Sequence, residues 1–226
     1  MKTKILALAL VGMGSLQAAI INIQLTGLVT GATVTRTIAD SATFGLSTAP
    51  LTLQAGLLTY GGLLAYCLEP QQSTGPVGGG LIPYTIDPTM LTAPGNVGGM
   101  LPVTATRVSD LRRLLNNTPD AFSGSISALQ AAAFQIAIWE ILRETAGTPY
   151  NVLSGNVSYT GESIVGVFAQ ANAWLSNLSS QTERETAALT NETFQDLIIP
   201  TPEPGTFGML GAGAVMIVFG IRRRKS

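Results

Sequence analysis

The stretch AAAFQIAIWEIL, residues Ala131–Leu142, decides how the rest of the chain must be arranged. Its composition is typical of a strong helix, and on a helix Gln135 has only apolar neighbours one and two turns away. These neighbours are Ala131, Ala132, Ile138, Trp139 and Leu142. Such a helix is normally buried on several faces, and an unpaired buried amide costs roughly 1–3 kcal/mol. The sequence therefore predicts a central helix in which the Gln135 side chain has a defined partner.

A second apolar stretch, Tyr60–Leu68, contains Cys67, the only cysteine in the chain. The stretch predicts a buried strand in which Gly61 and Gly62 mark a bulge or a close backbone approach. We predict that Cys67 is the partner of Gln135 and that the two side chains are joined covalently. The alternative interpretation is that Cys67 is a small buried apolar residue and Gln135 an ordinary helix former.

The order of the remaining patterns predicts the fold class. Alternating and β-branched stretches predict strands first, helices follow, and a final strand closes the domain. The predicted strands are Ile20–Val29, Thr33–Ile38, Ala42–Leu46, Tyr60–Leu68, Leu81–Ile86 and Thr193–Ile199, with Leu51–Leu58 ambiguous. The predicted helices are Ser109–Asn116, Ser127–Glu144 and Gly161–Leu178, with a further helical turn in Thr182–Leu189. This pattern indicates an α+β domain over residues 20–199, with helices packed against a mostly antiparallel sheet or sandwich.

The charge pattern excludes several classes of function. Between residues 20 and 199 there are six arginines, no lysine and twelve acidic residues, a net charge of −6, and the whole chain has no histidine. An acidic domain is poorly suited to nucleic acid. Without histidine, Ser-His-Asp and Cys-His catalysis are excluded, and a zinc site is not expected. We expect no metal and no cofactor. The absence of internal lysines has two interpretations: it is compositional drift, or it suits a domain that carries an amine-seeking electrophile.

Both ends of the chain have the composition of targeting segments. Residues 1–19 combine Lys2 and Lys4 with an apolar stretch and a small-residue exit, which predicts a secretory signal peptide. Residues 200–226 contain Gly205–Ile221, seventeen residues without a charge. That segment spans about 25 Å as a helix, enough for a short membrane crossing with its basic tail on the cytoplasmic side.

The C-terminal segment resembles the PEP-CTERM sorting signal of Gram-negative bacteria. The motif residues are Pro202, Glu203 and Pro204, followed by the apolar segment and by Arg222, Arg223 and Arg224. The resemblance implies an exosortase as partner, transient anchoring in the inner membrane, and removal of the tail. It also implies delivery to the cell surface or to an extracellular matrix of exopolysaccharide or biofilm.

The two apolar stretches together resemble the thioester domain of bacterial surface adhesins. The motif Tyr66-Cys67-Leu68-Glu69 is similar to the cysteine strand of that family. On the helix, the matching residues are Gln135, Ala137, Ile138 and Trp139, with Glu140 following. Phe134 stands where the family has threonine, a departure that bears on reactivity rather than on the fold.

The resemblance implies an internal Cys67–Gln135 thioester, formed with loss of ammonia. A lysine amine on a partner protein or matrix component attacks the Gln135 carbonyl and leaves an isopeptide bond, so the protein acts once and is not an enzyme. Glu69 and Glu140 are the nearest carboxylates to accept protons, while Tyr66 and Trp139 pack around the bond. Two alternatives stay open. One is a non-covalent structural component of the matrix with an inert cysteine. The weaker one is a glycosidase, because no two carboxylates are paired in the sequence.

Overall fold

A computed structural model describes residues 20–38, 49–70, 72–91, 103–144 and 149–201. These residues form eight strands in antiparallel pairs, with three α-helices packed against them. The arrangement confirms the predicted α+β class with a mostly antiparallel sheet. The predicted signal peptide, the strand Ala42–Leu46 and the transmembrane segment Gly205–Ile221 lie outside the described residues. Within those residues, no helix is long and apolar enough to cross a membrane.

The strands run in the sheet order β1-β5-β7-β8-β4-β3-β2-β6. Their bounds are β1 (Ile20–Ile23), β2 (Leu25–Ile38), β3 (Leu51–Tyr60), β4 (Leu63–Cys67), β5 (Ile82–Asp87), β6 (Val157–Thr160), β7 (Thr186–Thr190) and β8 (Leu197–Pro200). The two C-terminal strands therefore lie in the middle of the sheet, and β8 pairs with β4. The cysteine strand is thus held between an N-terminal hairpin and the last strand of the domain.

The sheet must curl, because its first two strands lie near opposite ends of the strand order. Only Gln24 separates β1 from β2, yet β1 is one edge strand and β2 is next to the other edge. The junction is tied by a hydrogen bond from the Gly78 N–H to the Leu25 carbonyl oxygen at 2.9 Å. The curled sheet packs one helix, α2 (Ala128–Arg143), against β2 and β3.

The stretch Tyr60–Leu68 is not one continuous strand, because it contains the turn of a β-hairpin and the strand that follows it. Tyr60 closes β3 and pairs with Leu63 at the start of β4. Gly61 and Gly62 form the two-residue turn, with φ angles of +59° and +93°. Two consecutive positive φ angles are what the tight turns of two-residue hairpins require, and glycine adopts them without strain. The prediction of a bulge was therefore wrong, although it identified the right residues as special.

The helices depart from prediction mainly after residue 160. The predicted first helix is longer, α1 (Ala105–Asn117), and the third is shorter, α3 (Val167–Leu175), with a 3-10 turn at Leu178–Ser180. Gly166, at φ +100°, precedes α3, so Val165 lies outside the helix that was predicted to contain it and is 88% exposed. Thr182–Leu189, predicted to be helical, instead leads into β7, where pairing with β5 and β8 overrides local helix preference.

Helix α2 is the core of the domain. Ser127 caps it, since its hydroxyl accepts a hydrogen bond from the Gln130 N–H at 3.2 Å. Every residue from Ala131 to Arg143 is buried, including three polar ones. A helix covered on all faces needs a partner for each buried polar side chain, and for Gln135 that partner decides the candidate site.

Candidate functional site

Gln135 and Cys67 lie in direct contact at the junction of α2 and β4. The Cys67 N–H donates to the Gln135 side-chain oxygen Oε1 at 2.9 Å, and Gln135 Nε2 donates to the Cys67 carbonyl oxygen at 2.7 Å. Both residues are buried, with 6% and 1% exposure respectively. The carboxamide carbon of Gln135 is bonded to both hydrogen-bonding atoms, so the pair holds it beside the cysteine backbone.

Cys67 is the last residue of β4 and a free thiol in the core. Its backbone is fixed by pairing with Leu197 of β8, and the next residue, Leu68, donates its N–H to the Asp196 carbonyl oxygen at 2.8 Å. Burial, and then the nearby charge of Glu69, raise the pKa of the Cys67 thiol far above its ordinary value. The sulfur is therefore a neutral thiol at physiological pH, and any reaction at it needs a proton acceptor.

An aromatic cluster fixes the residues that precede Cys67 and Gln135. The Tyr66 and Phe134 ring centroids are 4.7 Å apart, and Phe122 is 5.4 Å from Tyr66. The Tyr66 hydroxyl donates to the Ala121 carbonyl oxygen at 2.7 Å. Phe134, which occupies the threonine position of the resembled family, thus holds α2 against β4 by ring packing.

A cavity of about 380 Å³ opens beside Cys67. Its walls come from residues on β2 and β3, from residues 70, 72–74 and 77, and from Trp139 and Gln195. None of the described residues that line it carries a charge. Val77, 67% exposed, is part of the same lining, so apolar surface continues outward from the thiol.

The other residues predicted to surround the Cys67–Gln135 thioester occupy three different environments. Ala137 and Ile138 are fully buried core residues. Trp139 lines the cavity, and its ring stacks on Tyr159 with centroids 6.4 Å apart. Glu140 is fully buried, and its carboxylate accepts the Asn151 N–H at 2.8 Å. The structure thus brings Trp139 to the cysteine cavity and holds Glu140 against the segment after α2.

Glu69 lies behind the cavity wall, two residues after Cys67. Its Oε2 accepts the Asp196 N–H at 3.3 Å, while its Oε1 has no hydrogen-bond partner among the described residues. Burial, followed by the charge of Asp196, raises the pKa of Glu69 to about 8. Turning the Gln72 carboxamide so that its nitrogen faces inward lets it donate to Oε2 as well. Glu69 is therefore a buried carboxyl group with a pKa near neutral pH, two residues after the thiol in the chain.

Sequence analysis missed Gln72 and Gln195 as parts of this site. Both line the cavity, and Gln195 also donates its side-chain N–H to the Glu69 carbonyl oxygen. Gln195 falls between β7 and β8, where only the pairing of β8 with β4 brings it to Cys67. No local pattern marks either glutamine, because their position depends on strand order. Over the described ranges, no group of three or more His, Cys, Asp or Glu side chains is placed to hold a metal ion.

Comparison with known proteins identifies the C-terminal segment. The PEP-CTERM protein-sorting motif matches residues 200–225, which include the predicted motif residues Pro202, Glu203, Pro204 and Arg222–Arg224. No curated protein and no solved structure matches the chain, so the resemblance of residues 20–199 to thioester domains has no support from these comparisons. The sorting motif marks an exported protein that an exosortase processes at the membrane.

Proposed function

We propose that this exported protein attaches covalently to amine-bearing partners through an internal thioester between Cys67 and Gln135. The observation that carries the proposal is the reciprocal hydrogen-bonded pair of the Gln135 carboxamide and the Cys67 backbone, buried beside a cavity that Cys67 lines. Residues 68 positions apart in the chain are thereby held together, with the Gln135 carboxamide hydrogen-bonded to the backbone of the residue that carries the thiol. The two motifs that resemble the thioester family contribute one residue each.

The geometry favours attack on the Gln135 carbonyl. When a nucleophile adds to that carbon, negative charge develops on Oε1. The Cys67 N–H already donates to Oε1 at 2.9 Å, within the range expected of an oxyanion donor. Sulfur attack expels Nε2 as ammonia and yields the thioester, and a later amine attack expels the Cys67 sulfur and yields an isopeptide bond. In both steps the same backbone N–H stabilises the developing charge.

The cavity supplies a route by which the amine reaches a bond that is otherwise kept dry. Its uncharged lining gives no counter-ion to an ammonium group, so the free-base form of the amine is the form that enters. A lysine side chain, with a flexible apolar stem and a terminal amine, suits such a lining. Each molecule reacts once, as an acylating reagent rather than an enzyme. The partner is a lysine-bearing protein or matrix component at the cell surface or in the extracellular matrix.

The test is the intact mass of the exported protein, purified without added amines. The proposal expects a mass lower than the plain sequence by one ammonia, and a gain of one methylamine after incubation with that amine. Two single variants, Cys67→Ser and Gln135→Leu, should show neither change. Gln130→Leu, at the exposed start of the same helix, is the matched control and should behave as the wild type. A wild-type mass equal to the plain sequence, with a thiol that titrates on unfolding, contradicts the proposal.

A second function is favoured by one feature of the same site. In the structure the Gln135 carboxamide already satisfies the Cys67 N–H and carbonyl groups, and the thiol is strongly disfavoured as a thiolate. These contacts also suit an inert polar pair that only holds β4 on α2, in a non-covalent structural protein of the matrix. A Cys67→Ala variant that keeps full attachment to the surface or matrix supports this second function against the first.

A further inference from the structure

Glu69 is the buried carboxyl group closest in the chain to Cys67. It is held on one side only, because Oε2 accepts the Asp196 N–H whereas Oε1 has no hydrogen-bond partner in the described part of the chain. Its carbonyl oxygen accepts from Gln195, whose side chain lines the cysteine cavity. A buried carboxyl oxygen without a partner is costly, and a catalytic role is one explanation for such a group.

Thioester formation needs a group of this kind. The Cys67 sulfur starts as a protonated thiol, and the leaving nitrogen of Gln135 must depart as ammonia rather than as an amide anion. One proton has to pass from sulfur to Nε2 while the carbon–sulfur bond forms and the carbon–nitrogen bond breaks. Histidine, the usual carrier, is absent from the whole chain.

We propose that Glu69 is the proton carrier for thioester formation, an inference that rests on the proposed function. The carboxylate accepts the thiol proton as sulfur attacks the Gln135 carbon, and the resulting carboxylic acid returns that proton to Nε2 as ammonia leaves. The number of protons and electrons balances, so no further reactant is required. When an amine later opens the thioester, the carboxylate takes a proton from the attacking nitrogen and passes it to the departing Cys67 sulfur, which leaves as a thiol.

The charged surroundings of Glu69 suit this exchange. Burial and then the charge of Asp196 raise the pKa of Glu69, whereas Arg143 lowers it. The charge of Glu69 in turn adds to the effect of burial in raising the pKa of the Cys67 thiol and of the Tyr84 hydroxyl. With a pKa of about 8, both protonation states are populated near neutral pH, which is the condition for efficient general acid–base transfer.

Glu140 provides a matched control within the same motifs. Burial also raises the pKa of Glu140 to about 8, and it too has one carboxylate oxygen without a partner among the described residues. Its other oxygen, however, binds the Asn151 N–H, and its charge acts on Glu144 and Tyr159 rather than on Cys67. The two carboxyl groups therefore share burial and pKa and differ in what they face.

The test measures the rate of ammonia loss by time-resolved intact mass. The full-length chain is isolated under denaturing conditions directly after synthesis, so that Gln135 keeps its amide, and is refolded in mild detergent. Glu69→Gln should slow ammonia loss by about a hundredfold, and Glu69→Asp should recover part of the rate. Glu140→Gln should match the wild type. An unchanged rate in a folded Glu69→Gln protein overturns the inference, whereas a wild type that never loses ammonia overturns the thioester itself.

The pH profile of the wild type decides the question if Glu69→Gln does not fold. Between about pH 6 and about pH 10 the rate should rise as Glu69 loses its proton and level off above a pKa of about 8. A rate that keeps rising about tenfold per pH unit reports direct attack by the thiolate, whose pKa lies above this range, and contradicts a role for Glu69.

Discussion

The two ends of α2 bury polar groups in opposite ways. Toward its start, Gln135 is neutral and meets the backbone of Cys67 through two hydrogen bonds inside an aromatic and aliphatic core. At its end, Glu140, Arg143 and the following Glu144 are all buried as ionisable groups. One helix thus carries a neutral pair and a charged cluster within three turns.

The charged cluster is organised by contacts with segments far away in sequence. Glu144 accepts N–H groups of Asn156 at 2.6 Å and Val157 at 3.2 Å, and the Arg107 guanidinium donates to the Glu144 carbonyl oxygen. Burial, and then the charges of Arg36 and Arg107, lower the pKa of Arg143 to about 10, against the opposing effect of Tyr159 and Glu69. These contacts join α1, α2 and the approach to β6.

The difference separates stability from chemistry. The buried ionisable groups at the charged end hold separate segments of the chain together, and their role is structural. Their burial carries the desolvation cost of buried ions. The neutral end places the Gln135 carboxamide on the backbone of Cys67, with an N–H donor on the carbonyl oxygen and a cavity that Cys67 lines. Variants at the two ends should therefore change different measured quantities.

The largest expected effect comes from breaking the neutral end with Phe134→Ala. The ring is fully buried between Tyr66, Phe122 and Trp174, so its removal should lower the free energy of unfolding by about 3–5 kcal/mol. Because the ring also holds α2 on β4, the fraction of folded protein that incorporates methylamine should fall too. Urea unfolding and intact mass measure the two quantities.

Phe168→Ala is the control for that experiment. It removes a ring of the same size from α3, where Phe168 is also buried. We expect a comparable loss of stability and no change in the fraction that reacts. Equal loss of reaction in both variants would show that the aromatic cluster does not position the site.

The sequence was sufficient to find the partners at the neutral end, because their surroundings are local. Gln135 is flanked by apolar residues on every helical face, so burial and a need for a partner follow from periodicity alone. In the structure this helix is buried, and the Gln135 carboxamide forms its hydrogen bonds with the Cys67 backbone. The covalent bond itself stays a prediction, since hydrogen bonds between the Gln135 carboxamide and the Cys67 backbone do not specify whether the Cys67 sulfur reacts.

The sequence was not sufficient to place the charged end or the cavity. Glu140 and Glu69 look alike as motif carboxylates, but strand order puts one against Asn151 and the other against Asp196. β7 and β8 insert in the middle of the sheet, and no local pattern in residues 182–200 encodes that position. The shortening of α3 does have a local cause in the sequence. The Glu162 carboxylate accepts the N–H groups of Gly166 and Phe168 at the start of that helix.

The second expected effect concerns pH and tests the charged end. The folded protein raises the pKa of Glu140 from 4.5 to about 8, so it binds that proton more tightly than the unfolded chain does. The stabilisation from this group is fully present below about pH 4.5. As the pH rises from about 4.5 to about 8, the free energy of unfolding falls by up to about 1.4 kcal/mol per pH unit. Glu69 contributes in the same direction and the same window. Urea unfolding across this range should show stability that falls with pH.

Glu140→Gln should remove about half of that slope, since glutamine keeps the hydrogen bond from the Asn151 N–H but does not titrate. Glu192→Gln removes an exposed carboxyl group and should leave the slope unchanged. A wild-type stability that is constant or rises between about pH 5 and about pH 8 contradicts the assignment of both buried carboxyl groups.

The smallest expected effect is that of Ser127→Ala, which removes the cap of α2 at the neutral end. The Ser127 hydroxyl accepts the Gln130 N–H at 3.2 Å and donates to the Gln130 side-chain oxygen at 2.9 Å, so its loss should cost about 1 kcal/mol. Ser125→Ala, in the preceding loop, should change stability by less than about 0.5 kcal/mol. Gln135 lies two turns further along α2, and its contact with Cys67 does not involve the cap, so methylamine incorporation should stay at the wild-type level. If incorporation instead declines in step with stability, then the effect of Phe134→Ala on the reaction reflects general loosening of the helix, and the separation between the two ends does not hold.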